Sequence, residues 1–192
     1  MQLATTAPAR TSYTTKFADC LRIAKNKSIT EWTIDQLDIR PYQHILEIGY
    51  ASGYTLQEVA RKLKIGFLAG IDESITMYRQ AYRRNKKLVQ DQLLQLHIGS
   101  IHELPYPHYY FHTIYANNIT IPGKHTRDAL MQLFNLLRHG GKMVIILKPS
   151  MRDEIAVMEL AEKLKQDYLQ AGFCNVQVEW HEMGLAVAGN KD

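Results

Sequence analysis

The sequence has little cysteine, and its two cysteines fit no recognised framework. Cys20 and Cys174 lie at opposite ends of the 192-residue chain, and neither belongs to a Cys-x-x-Cys pair or to a Cys/His spacing typical of zinc ligands. The eight histidines are scattered, so we expect them to be structural or solvated. These absences exclude a disulfide scaffold and give no reason to expect a metal site.

Long hydrophobic runs are missing as well. A membrane-spanning helix needs about 18 consecutive apolar residues, and no such stretch occurs. Residues 1–15 are polar and lack the apolar core of a secretion signal. We therefore expect no membrane association and a cytoplasmic location. The length suits one domain with a real core, which we place at residues 28–192, after an N-terminal arm or helix over residues 1–27 that could act as a lid.

The chain also lacks a strong excess of charge of one sign, since its formal net charge is only +4. The one dense basic run, Arg83, Arg84, Lys86 and Lys87, falls beyond the apolar face of a predicted helix, as solvated surfaces commonly do. Charge therefore argues against a nucleic-acid partner. We expect a monomer or a homodimer.

The sequence does contain a regular alternation of apolar strands and amphipathic helices. A capping box begins at Ser28, and the helix from Thr126 is expected to stop at a Gly140-Gly141 turn. Helices alternating with strands predict a parallel sheet with right-handed crossovers. We expect an α/β fold with a doubly wound, mostly parallel seven-stranded sheet and a C-terminal antiparallel hairpin, with a helix over 74–87 and strands over 44–48, 67–71, 93–98, 111–116, 143–147, 176–180 and 185–188.

The turn after the first predicted strand is the clearest functional signal. Small residues recur there at every second position, as Gly49, Ala51 and Gly53. An apolar strand that leads into a small-residue turn and a helix is how open α/β sheets bring the backbone close to a ligand. A dinucleotide fingerprint would need a small residue at position 54, where Tyr54 stands. This spacing argues against a nicotinamide-dependent oxidoreductase, which remains a less favoured alternative.

Three further segments follow in a fixed order. They read Ala-Gly-Ile-Asp-Glu-Ser at 69–74, Gly-Ser-Ile-x-x-Leu-Pro-Tyr at 99–106, and Leu-Arg-His-Gly-Gly-Lys-Met-Val-Ile at 137–145. Together with Glu47-x-Gly49-x-Ala51-x-Gly53, their order and spacing make the chain resemble the class I S-adenosylmethionine (SAM) methyltransferases of the small-molecule type. The resemblance runs from about residue 25 to the C-terminus. It implies SAM as cofactor and S-adenosylhomocysteine as product.

The resemblance also implies roles for particular residues. The backbone of the turn at 49–53 would approach the methionine part of the cofactor, with Glu47 facing its amino group. Asp72 would accept the ribose hydroxyls. Glu73 and Met77 would flank the adenine, with Ser100 and Ile101 at its other edge. Asn117, just after the fourth strand, would lie near the sulfonium. The implied cofactor-binding residues are Glu47, Gly49, Tyr50, Ala51, Gly53, Asp72, Glu73, Met77, Ser100, Ile101 and Asn117.

The turn departs from the family pattern at two positions. Tyr50 is larger than the usual residue, and Ala51 replaces the middle glycine, which leads us to expect a negative φ at Ala51. No catalytic triad is visible, and in-line methyl transfer to a small-molecule acceptor does not require one. If a base is needed, the candidates are Tyr13, His112, Asn118 and His125. The alternative is a protein with this fold that binds a ligand or partner without turnover.

Overall fold

The computed structural model describes residues 29–117, 126–148, 154–182 and 184–192. Within those ranges, seven strands form one sheet: β1 His44–Ile48, β2 Phe67–Asp72, β3 Leu94–Ile98, β4 Phe111–Asn117, β5 Leu137–Leu147, β6 Cys174–His181 and β7 Gly184–Asn190. The order is β3-β2-β1-β4-β5-β7-β6. Strands β1 to β5 pair in parallel, whereas β7 pairs antiparallel with β5 and β6. The predicted fold class is confirmed.

Helices cover both faces of the sheet. The helical elements of the described chain are α1 over residues 29–37, α2 Tyr54–Ala60, α3 Ile75–Arg84, α4 Lys86–Gln90, a short 3₁₀ segment Ile101–Glu103, α5 Thr126–Leu136 and α6 Glu154–Gln170. Helices α1, α2 and α3 bury Trp32, Leu56 and Ala81 in one core cluster. Helices α5 and α6 bury Leu133 and Leu164 in the cluster on the opposite face. None of the described helices is long and apolar enough to cross a membrane.

Two predicted helix boundaries are wrong, and the strand expected over 143–147 begins earlier, at Leu137. The helix expected over 74–87 divides into α3 and α4 at Asn85, which takes a non-helical ψ of 20°. The helix from Thr126 ends at Leu136, not at the Gly140-Gly141 turn, because Leu137 already pairs with Phe111 of β4. The glycines instead lie inside β5 in a bulge where the β4–β5 register shifts, and Gly140 has a φ of 71°.

The parallel order places four strand ends together. Strand β1 lies between β2 and β4, and its last residue, Ile48, pairs with Ile71 on one side and Ala116 on the other. We call the side of the sheet where β1, β2, β3 and β4 end the carboxyl edge. In open α/β sheets, ligands bind at this edge where the strand order reverses, which here is at β1 and β4.

Candidate functional site

In the turn after β1, every second residue has a positive φ angle, in the left-handed region of backbone conformation. Gly49, Ala51 and Gly53 have φ angles of 67°, 46° and 72°. The N–H of Gly49 donates to the carbonyl of Ile71 at 2.7 Å, and the N–H of Gly53 donates to the carbonyl of Tyr50 at 2.8 Å. The expectation of a negative φ at Ala51 is wrong, since the turn imposes the same backbone region on all three small residues.

Replacing Ala51 by glycine is expected to raise the free energy of unfolding by about 0.5 kcal/mol. Relief of the left-handed strain, about 1–2 kcal/mol for a residue with a Cβ, outweighs the extra chain entropy of glycine, about 0.5–1 kcal/mol. Urea unfolding measures the difference. The matched control is Ala60→Gly in α2, where the backbone is helical and the same change should destabilise. Destabilisation by both substitutions would contradict the prediction.

Asp72 joins this turn to the next strand and helix. Its Oδ2 accepts the N–H of Ala51 at 2.9 Å, and its Oδ1 accepts the N–H of Ser74 at 2.9 Å. Two backbone donors on different segments therefore fix the carboxylate at the end of β2. Each carboxylate oxygen has two acceptor positions, so both oxygens keep capacity for a further donor. A braced carboxylate of this kind suits a pair of ligand hydroxyls.

The Tyr50 side chain points into the core. The residue is 2% exposed, and its ring lies so close to Gly70 in β2 that a Cβ there would be 2.7 Å from Tyr50 Cδ1. The hydroxyl donates to the carbonyl of His97 in β3 at 3.0 Å. Burial raises the pKa of this phenol above its ordinary value. The ring thus anchors the turn across β2, and it is the Tyr50 backbone that lies within the turn.

Glu47 is a buried carboxyl beneath the turn. It is 2% exposed, and Tyr115 of β4 donates its hydroxyl to Oε2 at 2.8 Å. Burial raises the pKa of Glu47 from 4.5 to about 8, although the Tyr115 hydrogen bond lowers it and the negative charge of Asp72 adds to the rise. At neutral pH this carboxyl holds its proton unless a cation approaches.

The residues assigned to the adenine lie along the same edge. Glu73 is exposed and Met77 half-buried at the start of α3, whose cap is the Ser74 hydroxyl accepting the Met77 N–H at 3.3 Å. Ser100 caps the 3₁₀ segment in a capping box with Glu103, and Ile101 packs against the core. The N–H of Gly99 donates to Asp72 O at 3.2 Å, which ties this loop to the end of β2.

Other candidates lie elsewhere. Asn117 ends β4 at the carboxyl edge. His112 stands five residues earlier in that strand, about 16 Å away at roughly 3.3 Å per residue, beside His44 at the start of β1. Burial, the Arg138 charge and His44 all lower the pKa of His112. The structure therefore does not bring His112 together with the carboxyl-edge residues. The described residues do not include Tyr13, Asn118, His125 or the arm over residues 1–27.

Two residues that the sequence reading did not assign to the site also hold the turn. Arg84 Nε donates to the carbonyl of Ser52 at 3.0 Å, and Asn85 Nδ2 donates to the carbonyl of Gly53 at 2.9 Å. Both come from the C-terminal end of α3. Asn85 interrupts an otherwise good helical run, and asparagine is a poor helix former because its side chain competes for backbone groups. That interruption was the available signal.

The side chains at the carboxyl edge can hold a polar ligand. Among the described residues, no group of three or more His, Cys, Asp or Glu side chains could coordinate an ion. Three features lie together at the carboxyl edge: the turn of small residues at 49–53, the Asp72 carboxylate held by two backbone amides, and the buried Glu47 carboxyl beneath the turn. These groups can bind hydroxyls and a cationic group on one ligand.

Known proteins share both sequence and fold with this chain. A family model described as a methyltransferase domain matches residues 45–141. The uncharacterized methyltransferase YdaC of Bacillus subtilis (strain 168) is 31% identical over 166 residues, covering 85% of this chain and 89% of that protein.

Solved structures extend the likeness of fold. Geranyl diphosphate C-methyltransferase from Streptomyces coelicolor A3(2), solved with Mg²⁺, geranyl diphosphate and S-adenosyl-L-homocysteine, has a TM-score of 0.68 at 14% identity over 97% of this chain and 86% of that chain. The cyclase SpnF has a TM-score of 0.68 at 16% identity, over 85% and 80%. At these identities the structures show a common fold.

Proposed function

The chain belongs to the class I S-adenosylmethionine-dependent methyltransferases, and from that premise we propose that it transfers the methyl group of SAM to a small-molecule acceptor by in-line displacement. SAM is the cofactor. The observation that supports the proposal most directly is the bracing of Asp72 against Ala51 and Ser74 beside the left-handed turn.

The residues at the carboxyl edge fit the cofactor. Asp72 keeps acceptor positions for two ribose hydroxyls, and the turn at 49–53 has a small residue at each left-handed position. Glu47 lies beneath that turn, buried and able to ionise when a cationic amino group approaches. The two segments that flank Asp72 would hold the adenine, and they carry Glu73, Met77, Ser100 and Ile101. Asn117 would lie beside the reacting centre.

When bound, SAM supplies an electrophilic methyl group. The chain's own contribution is alignment: the braced turn and Asp72 hold one reactant so that the acceptor meets the methyl carbon in line. Binding of the cofactor is coupled to release of a proton from Glu47. A cation beside its carboxyl favours the ionised form, so binding near neutral pH releases the proton that Glu47 holds in the free protein.

Calorimetric titration with SAM and S-adenosylhomocysteine tests the proposal, followed by assay of labelled methyl transfer to a panel of small acceptors. We expect binding in the micromolar range. Absence of binding by either compound at millimolar concentration would reject the proposal, and saturable NADH binding instead would favour an oxidoreductase.

A second candidate is binding without methyl transfer. The fold neighbour SpnF is described as a cyclase, which shows that this fold occurs in a protein named for a different reaction. Tight binding of SAM with no transfer to any acceptor in the panel would favour this candidate.

Asp72→Ala is expected to weaken S-adenosylhomocysteine binding at least tenfold. The substitution removes the acceptor for ligand hydroxyls and also frees the Ala51 and Ser74 amides that the carboxylate holds. Calorimetry measures the affinity. The control is Asp91→Ala, which removes an exposed carboxylate at the end of α4. An affinity unchanged by Asp72→Ala would reject the ribose role.

A further inference from the structure

Asn85 is a buried polar residue whose side chain reaches a different part of the chain. It is 2% exposed and lies between α3 and α4. Its Nδ2 donates to two carbonyls, Gly53 O at 2.9 Å and Ala81 O at 3.0 Å. A flipped amide would place Oδ1 against both carbonyls, so the two hydrogen bonds fix the side-chain orientation. Within the described chain Oδ1 has no hydrogen-bond partner, so the amide acts here as a donor.

The turn that Asn85 contacts has a strained backbone, which side chains from other segments must stabilise. Ala51 occupies the left-handed region at a cost that glycine would not have, and such strain persists only where the surroundings hold it. Three side chains supply that support. Asp72 accepts from the Ala51 amide, Arg84 donates to the Ser52 carbonyl, and Asn85 donates to the Gly53 carbonyl. Each of the three residues from 51 to 53 is thus held by one side chain.

Asn85 controls the last of these peptide groups. The Gly53 carbonyl also accepts the N–H of Gln57 at 3.2 Å, so its direction is set by two donors. Because a peptide group is planar and trans, fixing that carbonyl fixes the whole plane that joins Gly53 to Tyr54. Packing leaves little freedom either, since a Cβ on Gly53 would lie 2.8 Å from Ala81 Cβ.

We infer that Asn85 is a positioning residue for the cofactor, acting through the turn at 49–53 without touching the ligand. The inference rests on the proposed function, because it concerns affinity for SAM and S-adenosylhomocysteine. Arg84 has a lesser part, since its side chain is exposed and its contact with Ser52 O competes with water.

Asn85→Ala and Asn85→Asp test the inference by calorimetric titration with S-adenosylhomocysteine. We expect Asn85→Ala to raise the Kd about tenfold. Asn85→Asp should raise it further, because a carboxylate would face two carbonyl oxygens. The matched control is Tyr168→Phe, which removes another buried donor to a backbone carbonyl, Val187 O at 3.3 Å, on the opposite face of the sheet. Its Kd should stay within twofold of wild type at a comparable loss of Tm.

Hydrogen exchange provides a second readout that a general loss of stability would not reproduce. Amides of residues 50–57 should exchange faster in Asn85→Ala, while those of β5 keep their protection. A Kd within twofold of wild type for Asn85→Ala, or an equal loss of affinity in Tyr168→Phe, would overturn the inference while leaving the proposed function intact. A wild-type protein that binds neither compound would overturn both.

Discussion

Gly53→Ala is expected to lower the free energy of unfolding by about 3 kcal/mol. A residue with a Cβ at a φ of 72° costs about 1–2 kcal/mol, and forcing a methyl group into a packed contact costs about 1–3 kcal/mol. The contact is tight, since the new Cβ would lie 2.7 Å from Asn85 Nδ2, 2.8 Å from Ala81 Cβ and 3.0 Å from Ala81 Cα. Helix α3 would have to move away from the turn.

Gly140 provides a matched control for the conformational part of this effect. Its φ is 71°, nearly the same as that of Gly53, but a Cβ there would meet nothing within 4 Å. Gly140→Ala should therefore cost only about 0.5 kcal/mol, because a strain of about 1–2 kcal/mol is partly offset by the chain entropy of about 0.5–1 kcal/mol that glycine loses on folding. Urea unfolding of both variants measures the two costs, and their difference isolates the packing of α3 against the turn. Equal costs would mean that α3 does not pack against Gly53.

The second large effect concerns Glu47 and pH. We expect the free energy of unfolding of Glu47→Gln, minus that of wild type, to increase by up to about 1.4 kcal/mol per pH unit between pH 5 and 8. Burial keeps the Glu47 carboxyl protonated up to about pH 8 in the folded protein, whereas its ordinary pKa is 4.5. Unfolding in this window releases a proton, so rising pH favours the unfolded chain. The contribution of Glu47 to stability is fully present below pH 4.5 and is lost as pH approaches 8.

Glutamine can keep the Tyr115 hydrogen bond and cannot ionise, so Glu47→Gln should remove this slope. Denaturant unfolding at half-unit pH steps measures it, and subtracting the wild-type curve cancels the titration of the histidines. The control is Glu159→Gln on α6, where an exposed carboxyl is replaced and the two curves should run parallel. Parallel curves for Glu47→Gln as well would show that Glu47 is ionised in the folded protein.

The sequence predicted what depends on neighbouring residues. The alternating apolar segments were enough to predict the order of strands and helices, because burial of whole parallel strands leaves continuous hydrophobic runs. The spacing of Gly49, Ala51 and Gly53 indicates the turn. Asp72 follows the apolar run 67–71, so it falls at a strand end, and a parallel sheet brings that end to the same edge as the turn. These features depend on local pattern and on topology.

What the sequence could not predict depends on distant contacts. The φ of Ala51 is set by side chains 21 and more residues away, against the preference of alanine itself. The early end of α5 depends on the pairing of Leu137 with Phe111. The hydrogen bond from Asn85 to Gly53 crosses 32 residues and corresponds to no short motif. Nor does any local signal reveal that the Tyr50 ring crosses Gly70.

The turn and the side chains that hold it are far apart in sequence, which has a consequence for the order of folding. A nascent chain that ends after α2 contains every residue of the turn but none of the three side chains that hold residues 51 to 53. These side chains reach the turn only when β2 has paired with β1 and α3 has packed beside it. We therefore expect residues 51–53 to take this shape only in a chain that extends through residue 85.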